Sequence, residues 1–174
     1  MAAAMHVATI AITLLAGIGH AVQAAPAPGS LLPPVTPACI SSPFGPRVLP
    51  GTRASGFHNG IDLPAPAGAW VHAAAAGQVV QIRRLDAYGL EVDVQHDSPA
   101  TGRYLTRYAH LGSVSTRLAG GARQVAAGEP IGRVGRTGII YGTHVYFQLR
   151  LNGLPVDPEP FLAVPRCGAS RPKP

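Results

Sequence analysis

The sequence predicts a single compact all-β domain of antiparallel strands, sandwich-like, over residues 40–165. Three observations carry that prediction. Gly (21) and Pro (18) punctuate the 174-residue chain every few residues, which leaves little room for helices. The runs between them are short, and they alternate or are β-branched, with turn residues at their ends. The stretch that follows the N-terminal segment, about 150 residues, is long enough to bury one core and hardly two.

Taken in order, residues 1–24 read as a secretory signal. An apolar run, "VATIAITLLAGIG" (7–19), precedes small residues at Val22 and Ala24. No Lys or Arg stands before the run, which is atypical. The alternative is an uncleaved membrane anchor, but the run is short for a bilayer span of roughly 20 residues. Residues 25–39, "APAPGSLLPPVTPAC", are Pro/Ala-rich and read as a loose, extended linker. Strands are expected at "QVVQIRR" (78–84), "LEVDVQH" (90–96), "RYLTRYAHL" (103–111), "EPIGRVG" (129–135) and "THVYFQLRL" (143–151). Residues 166–174 read as a tail.

The formal charge of +6 comes from Arg spread along the chain, with one Lys, at Lys173. A basic exported protein suits an anionic cell envelope. Nucleic acid is excluded, because no basic patch is interleaved with aromatics and no recognition motif is present. Segments 73–82 and 124–134 both run small residues, Gly, then a strand, as lipoyl and biotinyl carriers do. Those carriers modify a lysine at a hairpin tip, and Lys173 lies in the tail. A phosphocarrier using a histidine pair is cytosolic in logic, against the signal. Cys39 and Cys167 bracket the domain, so export permits one disulfide between them; two free thiols are the alternative.

Histidines carry the chemistry. "GFHNGIDLPAP" (56–66) sets His58 and Asp62 four apart. Gly60 and the prolines at 64 and 66 argue against a helix, so 58, 60 and 62 share the face of an extended segment. That geometry lets both side chains converge on one ion, and His and Asp are ordinary zinc ligands. "RYAHLG" (107–112) offers His110. In "GTHVYFQLR" (142–150), His144, Tyr146 and Gln148 share one strand face, with Val145, Phe147 and Leu149 on the other. His96 reads as structural, Asp93 as exposed on its strand, and His72 as a strand residue of undecided facing. Arg107, Tyr108 and Tyr141 are candidates for lining a groove beside these histidines.

With these residues the chain resembles the lysostaphin-type (LytM-like) zinc endopeptidases, which cut peptide cross-bridges of peptidoglycan. The resemblance runs in family order from "SSPFGPR" (41–47) through "HNGIDLPAPAGAWVHAAAAGQVV" (58–80), "YAHLG" (108–112) and "VAAGEPIGRVGRTG" (125–138) to "GTHVYFQLRLNGLPVDP" (142–158). It implies a groove on one sheet face and zinc held by His58 and Asp62. It implies catalytic roles for His110 and His144, in orienting water or stabilising the tetrahedral intermediate. The family's last motif is His-x-His, usually with Glu two residues on, and the second His is the third zinc ligand. Here Tyr146 stands in that place and Gln148 replaces the acid. A neutral phenol is a poor ligand, with an unperturbed pKa near 10. Three readings stay open: a degenerate domain that binds wall peptides or regulates a cell-wall amidase; an active enzyme completed by Tyr146 or by a displaced group such as His72; or a merely solvated strand face. The expected location is secreted or periplasmic, with no membrane association after signal cleavage.

Overall fold

A computed structural model describes residues 26–27, 30–48, 56–98 and 102–168. The expected signal lies outside the described residues, and so does the tail from residue 169. In chain order the strands are β1 (Gly45–Pro46), β2 (Phe57–His58), β3 (Ile61–Pro64), β4 (Trp70–His72), β5 (Gly77–Leu85), β6 (Gly89–Ser98), β7 (Gly102–Val114), β8 (Gln124–Val125), β9 (Pro130–Val134), β10 (His144–Leu151) and β11 (Leu154–Val156). A four-residue helix, Thr116–Ala119, and a 3-10 turn, Glu159–Phe161, are the helical elements among the described residues. Ser115 caps the helix through its hydroxyl, which accepts from the Leu118 N–H. None of these helices is long and apolar enough to cross a membrane.

The main sheet is antiparallel and runs β11-β10-β7-β6-β5-β8. β3 pairs with the first half of β10 and β11 with its second half. β9 pairs with the far end of β7 and with β4. The long hairpins form where the turn residues predict them. Gly89, at a positive φ of 63°, ends the tight β5–β6 turn, a conformation that favours glycine.

Alternation in β10 sorts its two faces. Val145, Phe147 and Leu149 are fully buried against a core that includes Ile61, Leu63, Tyr108 and Leu111 from the sheet, and Val71, Ile131 and Val134 from β4 and β9. Each such side chain contributes about 1.5–3 kcal/mol by leaving water. The other face of the sheet is polar yet also buried: Glu91, Asp93, Arg107 and Gln148 are each under 8 % exposed. The solvated-face reading of "HVYFQ" is therefore overturned. Asp93 is not exposed either. It takes a bidentate ion pair from Arg107, with both N–O distances 2.7 Å. Arg83 pairs with Glu91, and the Arg107 guanidinium lies 5.7 Å from the Tyr88 ring centre.

Residues 30–39 do not form a loose linker. Leu31 and Val35 are buried, the Leu32 N–H donates to the Ala74 carbonyl, and the His72 N–H donates to the Pro34 carbonyl. Their apolar side chains cover core surface that the strands leave open. Cys39 and Cys167 are joined in a disulfide across a sequence separation of 128. Immediately after Cys39, the backbones of Ser41 and Ser42 bond to Asp62.

Candidate functional site

Strand register builds the site. Tyr146 on β10 lies directly opposite Asp62 on β3 and Ala109 on β7, so these residues share one face of the sheet. His144 starts β10, opposite Pro64. A bend at Asn59 and Gly60 separates β2 from β3 and turns His58 back toward Asp62. Gly60 is required there: a Cβ would stand 2.8 Å from the Tyr146 ring. The result is a cavity of about 430 Å³ with His58, Asp62, His110, His144 and Tyr146 in its wall. Phe57, Tyr88, Ile139 and Tyr141 make much of the wall apolar and aromatic.

Asp62 is the hub. Its Oδ1 lies 3.2 Å from His58 Nε2 and 3.3 Å from His144 Nε2. Arg47 stands at the other oxygen, with Nη1 3.9 Å from Oδ2. Burial works to raise the carboxyl pKa, but the His144 and His58 rings outweigh it and hold Asp62 well below the usual carboxylate range. It is ionised at neutral pH.

Each imidazole in the cavity is anchored by Nδ1 to a backbone carbonyl. His58 Nδ1 lies 2.9 Å from the Pro43 oxygen, His110 Nδ1 2.9 Å from that of Thr137, and His144 Nδ1 2.9 Å from that of Gly142. A carbonyl only accepts, so Nδ1 donates to it and carries a proton in each of the three rings. His110 also has a positive φ of 63°, the left-handed region that a non-glycine residue rarely adopts. Three bonds hold that strain: its N–H to the Tyr88 carbonyl, its carbonyl from the Gly135 N–H, and its Nδ1 to Thr137. Burial pushes its pKa down, and the Thr137 carbonyl opposes that. The strained backbone thus holds the His110 ring in the cavity wall.

Tyr146 is engaged elsewhere. Its hydroxyl accepts from Gln148 Nε2 at 3.0 Å and bonds the Tyr88 hydroxyl. Gln148 is fixed in turn by donating to the Asn59 carbonyl at 3.0 Å. Burial and the Tyr88 hydroxyl raise the phenol pKa well above its ordinary value, so it is neutral at neutral pH. Among the described residues no three His, Cys, Asp or Glu side chains close into a metal-holding group. The family-type zinc set therefore does not fit this chain. His58 and Asp62 stand at two of the places to which the resemblance assigns zinc, and the third holds a neutral, hydrogen-bonded phenol.

The other expectations resolve individually. Tyr141 is exposed at the cavity mouth. Arg107 and Tyr108 are corrections, since neither lines the cavity. Arg107 is committed to Asp93, and Tyr108 faces the core, where its hydroxyl accepts from the Ala74 N–H at 2.7 Å. Alternation decides the pair, because neighbours on β7 point to opposite faces. His72 is not among the cavity-lining residues. His96 spans the Ala76 carbonyl (2.8 Å) and the Thr106 hydroxyl (2.7 Å). Arg47, Tyr88 and Thr137 were not anticipated as site residues. "SSPFGPR" carried a signal for Arg47; nothing local in the sequence marked the other two.

A sheet-floored groove with a His/Asp pair and two further imidazoles defines a metallopeptidase-type domain. Residues 56–158 match the model of Peptidase family M23, and the chain belongs to that family. It is 40% identical over 119 residues to the DD-carboxypeptidase/endopeptidase Mpg of Neisseria meningitidis, covering 68% of this chain and 26% of the relative. It is 37% identical over 119 residues to the peptidoglycan DD-endopeptidase ShyA of Vibrio cholerae, with the same coverage. The chain thus spans about a quarter of the length of these curated relatives. Among solved structures, the catalytic domain of lysostaphin from Staphylococcus simulans matches with a TM-score of 0.60 and 26% identity, over 71% of this chain and 90% of that one.

Proposed function

We propose that this protein is an exported, peptidoglycan-directed M23 domain that binds wall peptides in its groove without cutting them. It acts as a wall-binding module or as a regulator of a partner hydrolase such as a cell-wall amidase. One observation carries the reading: the phenol of Tyr146, in the third ligand place, is neutral and bonded to Gln148 and Tyr88. Catalytic zinc ordinarily has three protein ligands and an open place for water. The apolar and aromatic wall suits a peptide, with Asp62, Arg47 and the imidazoles as its polar anchors. The names of Mpg and ShyA support a peptide of peptidoglycan as ligand. The apolar run at 7–19 and the disulfide support export to the envelope, periplasmic or secreted.

The competing reading is an active zinc endopeptidase completed by another group. The strained His110 and the intact His58, Asp62 and His144 favour it. The test is incubation of the purified protein with isolated peptidoglycan and zinc. The proposal expects co-sedimentation with the wall and no muropeptide release. Release that a chelator abolishes would establish the enzyme instead.

A further inference from the structure

We infer that a second cavity, built around Arg150 at the β10–β11 end of the sheet, binds the free carboxylate of a peptide. The inference rests on the proposed function for the source of that peptide, the wall, and adds a second place at which it is held.

The cavity measures about 270 Å³ and shares no lining residue with the groove. Strand register places it. Arg150 on β10 lies opposite Leu105 on β7, and Leu105 lies opposite Gln95 on β6. All three therefore share the sheet face that carries Tyr146 and Gln148. Arg150 stands four residues beyond Tyr146, about 13 Å along the strand. Arg103 joins the wall from β7, and the Asn152–Gly153 turn between β10 and β11 closes one end.

Arg150 carries a charge that no side chain neutralises. It is half-buried, and its Nε is buried without a hydrogen-bond partner. The chain's eight Asp and Glu all lie among the described residues, and none pairs with Arg150. Other arginines withdrawn from water are matched: Arg47 with Asp62, Arg83 with Glu91 and Arg107 with Asp93. Asp97, beside the cavity, is already taken. Arg103 Nε lies 2.9 Å from its Oδ1, and Gln95 Nε2 lies 3.5 Å from its Oδ2. The wall thus keeps one uncompensated positive charge. A buried guanidinium N–H without an acceptor is costly, which favours an acceptor arriving in the cavity. A carboxylate brings one negative charge and two oxygens that match the planar guanidinium fork. Phosphate brings a second charge that the wall does not balance. Leu105 adds an apolar surface that the side chain next to a peptide carboxylate can cover.

The experiment titrates the purified protein with N-acetyl-dialanine, with its C-terminal amide and with inorganic phosphate, followed by backbone amide NMR shifts and calorimetry. The expected result is saturable shifts at Leu105, Arg150 and Gly153 with the free acid, and at least tenfold weaker binding of the amide and of phosphate. Arg150→Gln should weaken acid binding at least tenfold. Leu105→Glu, which sets a carboxylate directly across from Arg150, should do the same by occupying the site. Unfolding midpoints establish that both variants fold. No saturation by the free acid up to about 10 mM overturns the inference. So does equal binding of the amide, tighter binding of phosphate, or unchanged affinity in both variants. Sedimentation with peptidoglycan scores the proposed function separately: acid binding without sedimentation keeps the carboxylate site and removes the wall as its source of peptide.

Discussion

Replacing Gln148 with Glu tests how the phenol is held. The amide Nε2 donates both to the Asn59 carbonyl and to the Tyr146 hydroxyl, each at 3.0 Å. A carboxylate has no proton for either, so one oxygen would face the Asn59 carbonyl, acceptor against acceptor. Gln148 is 3 % exposed, so water does little to relieve this. The Tyr146 proton can swing to the new carboxylate and recover one bond. A lost buried bond that strands its partner costs about 1–3 kcal/mol, and more where a charge is involved. Gln148→Glu should therefore lose about 2–4 kcal/mol at pH 7, measured from urea unfolding with the disulfide intact. Gln148→Met, which removes the donor without adding charge, should lose less. The deficit of Gln148→Glu should shrink as pH falls, because a protonated carboxyl regains one donor. A loss below about 0.5 kcal/mol, the range of an ordinary surface change, would refute the view that Gln148 locks Tyr146.

Asp93→Ala removes the bidentate partner of the buried Arg107 guanidinium but leaves Glu91 Oε1 3.6 Å from its Nη2, so it should cost about 1–3 kcal/mol in urea unfolding; a loss under about 0.5 kcal/mol would mean the pair is solvated. Cys39→Ser should lower stability by up to about 4–5 kcal/mol, because the bond closes a loop of well over 100 residues, and a thiol assay on unreduced wild type should find no free thiol. Burial depresses the pKa of both His96 and His110. The unfolded chain therefore takes up their protons first, so this contribution is complete above about pH 6.5 and is lost on acidification. Urea midpoints should fall from pH 8 to pH 5, less steeply in His96→Gln; a slope unchanged by that substitution would remove His96 from the account.

Much of this was legible in the sequence because alternation is a local signal. The five expected strands appear as β5, β6, β7, β9 and β10, each within a few residues of the expected span. The row of His144, Tyr146 and Gln148 on one face followed from the same period of two. Alternation also separated Arg107 from Tyr108, though both had been expected in the groove. What stayed hidden depends on contacts distant in sequence. Val35 lies in a proline-rich stretch, and only the core it covers makes it structural. Asp93 looked like a surface acid until β7 brought Arg107 beside it. The tie between Tyr146, Gln148 and Tyr88 joins three residues whose meeting is fixed by the turn ahead of β6. The resemblance put a phenol where the family has a ligand, and the structure adds what that phenol bonds to.

The most direct test of the central claim is the fate of peptidoglycan exposed to the purified protein with saturating zinc, with soluble muropeptides separated and counted. The account predicts protein retained on the wall and no muropeptide above the untreated control. Muropeptide release that disappears on chelation would contradict it.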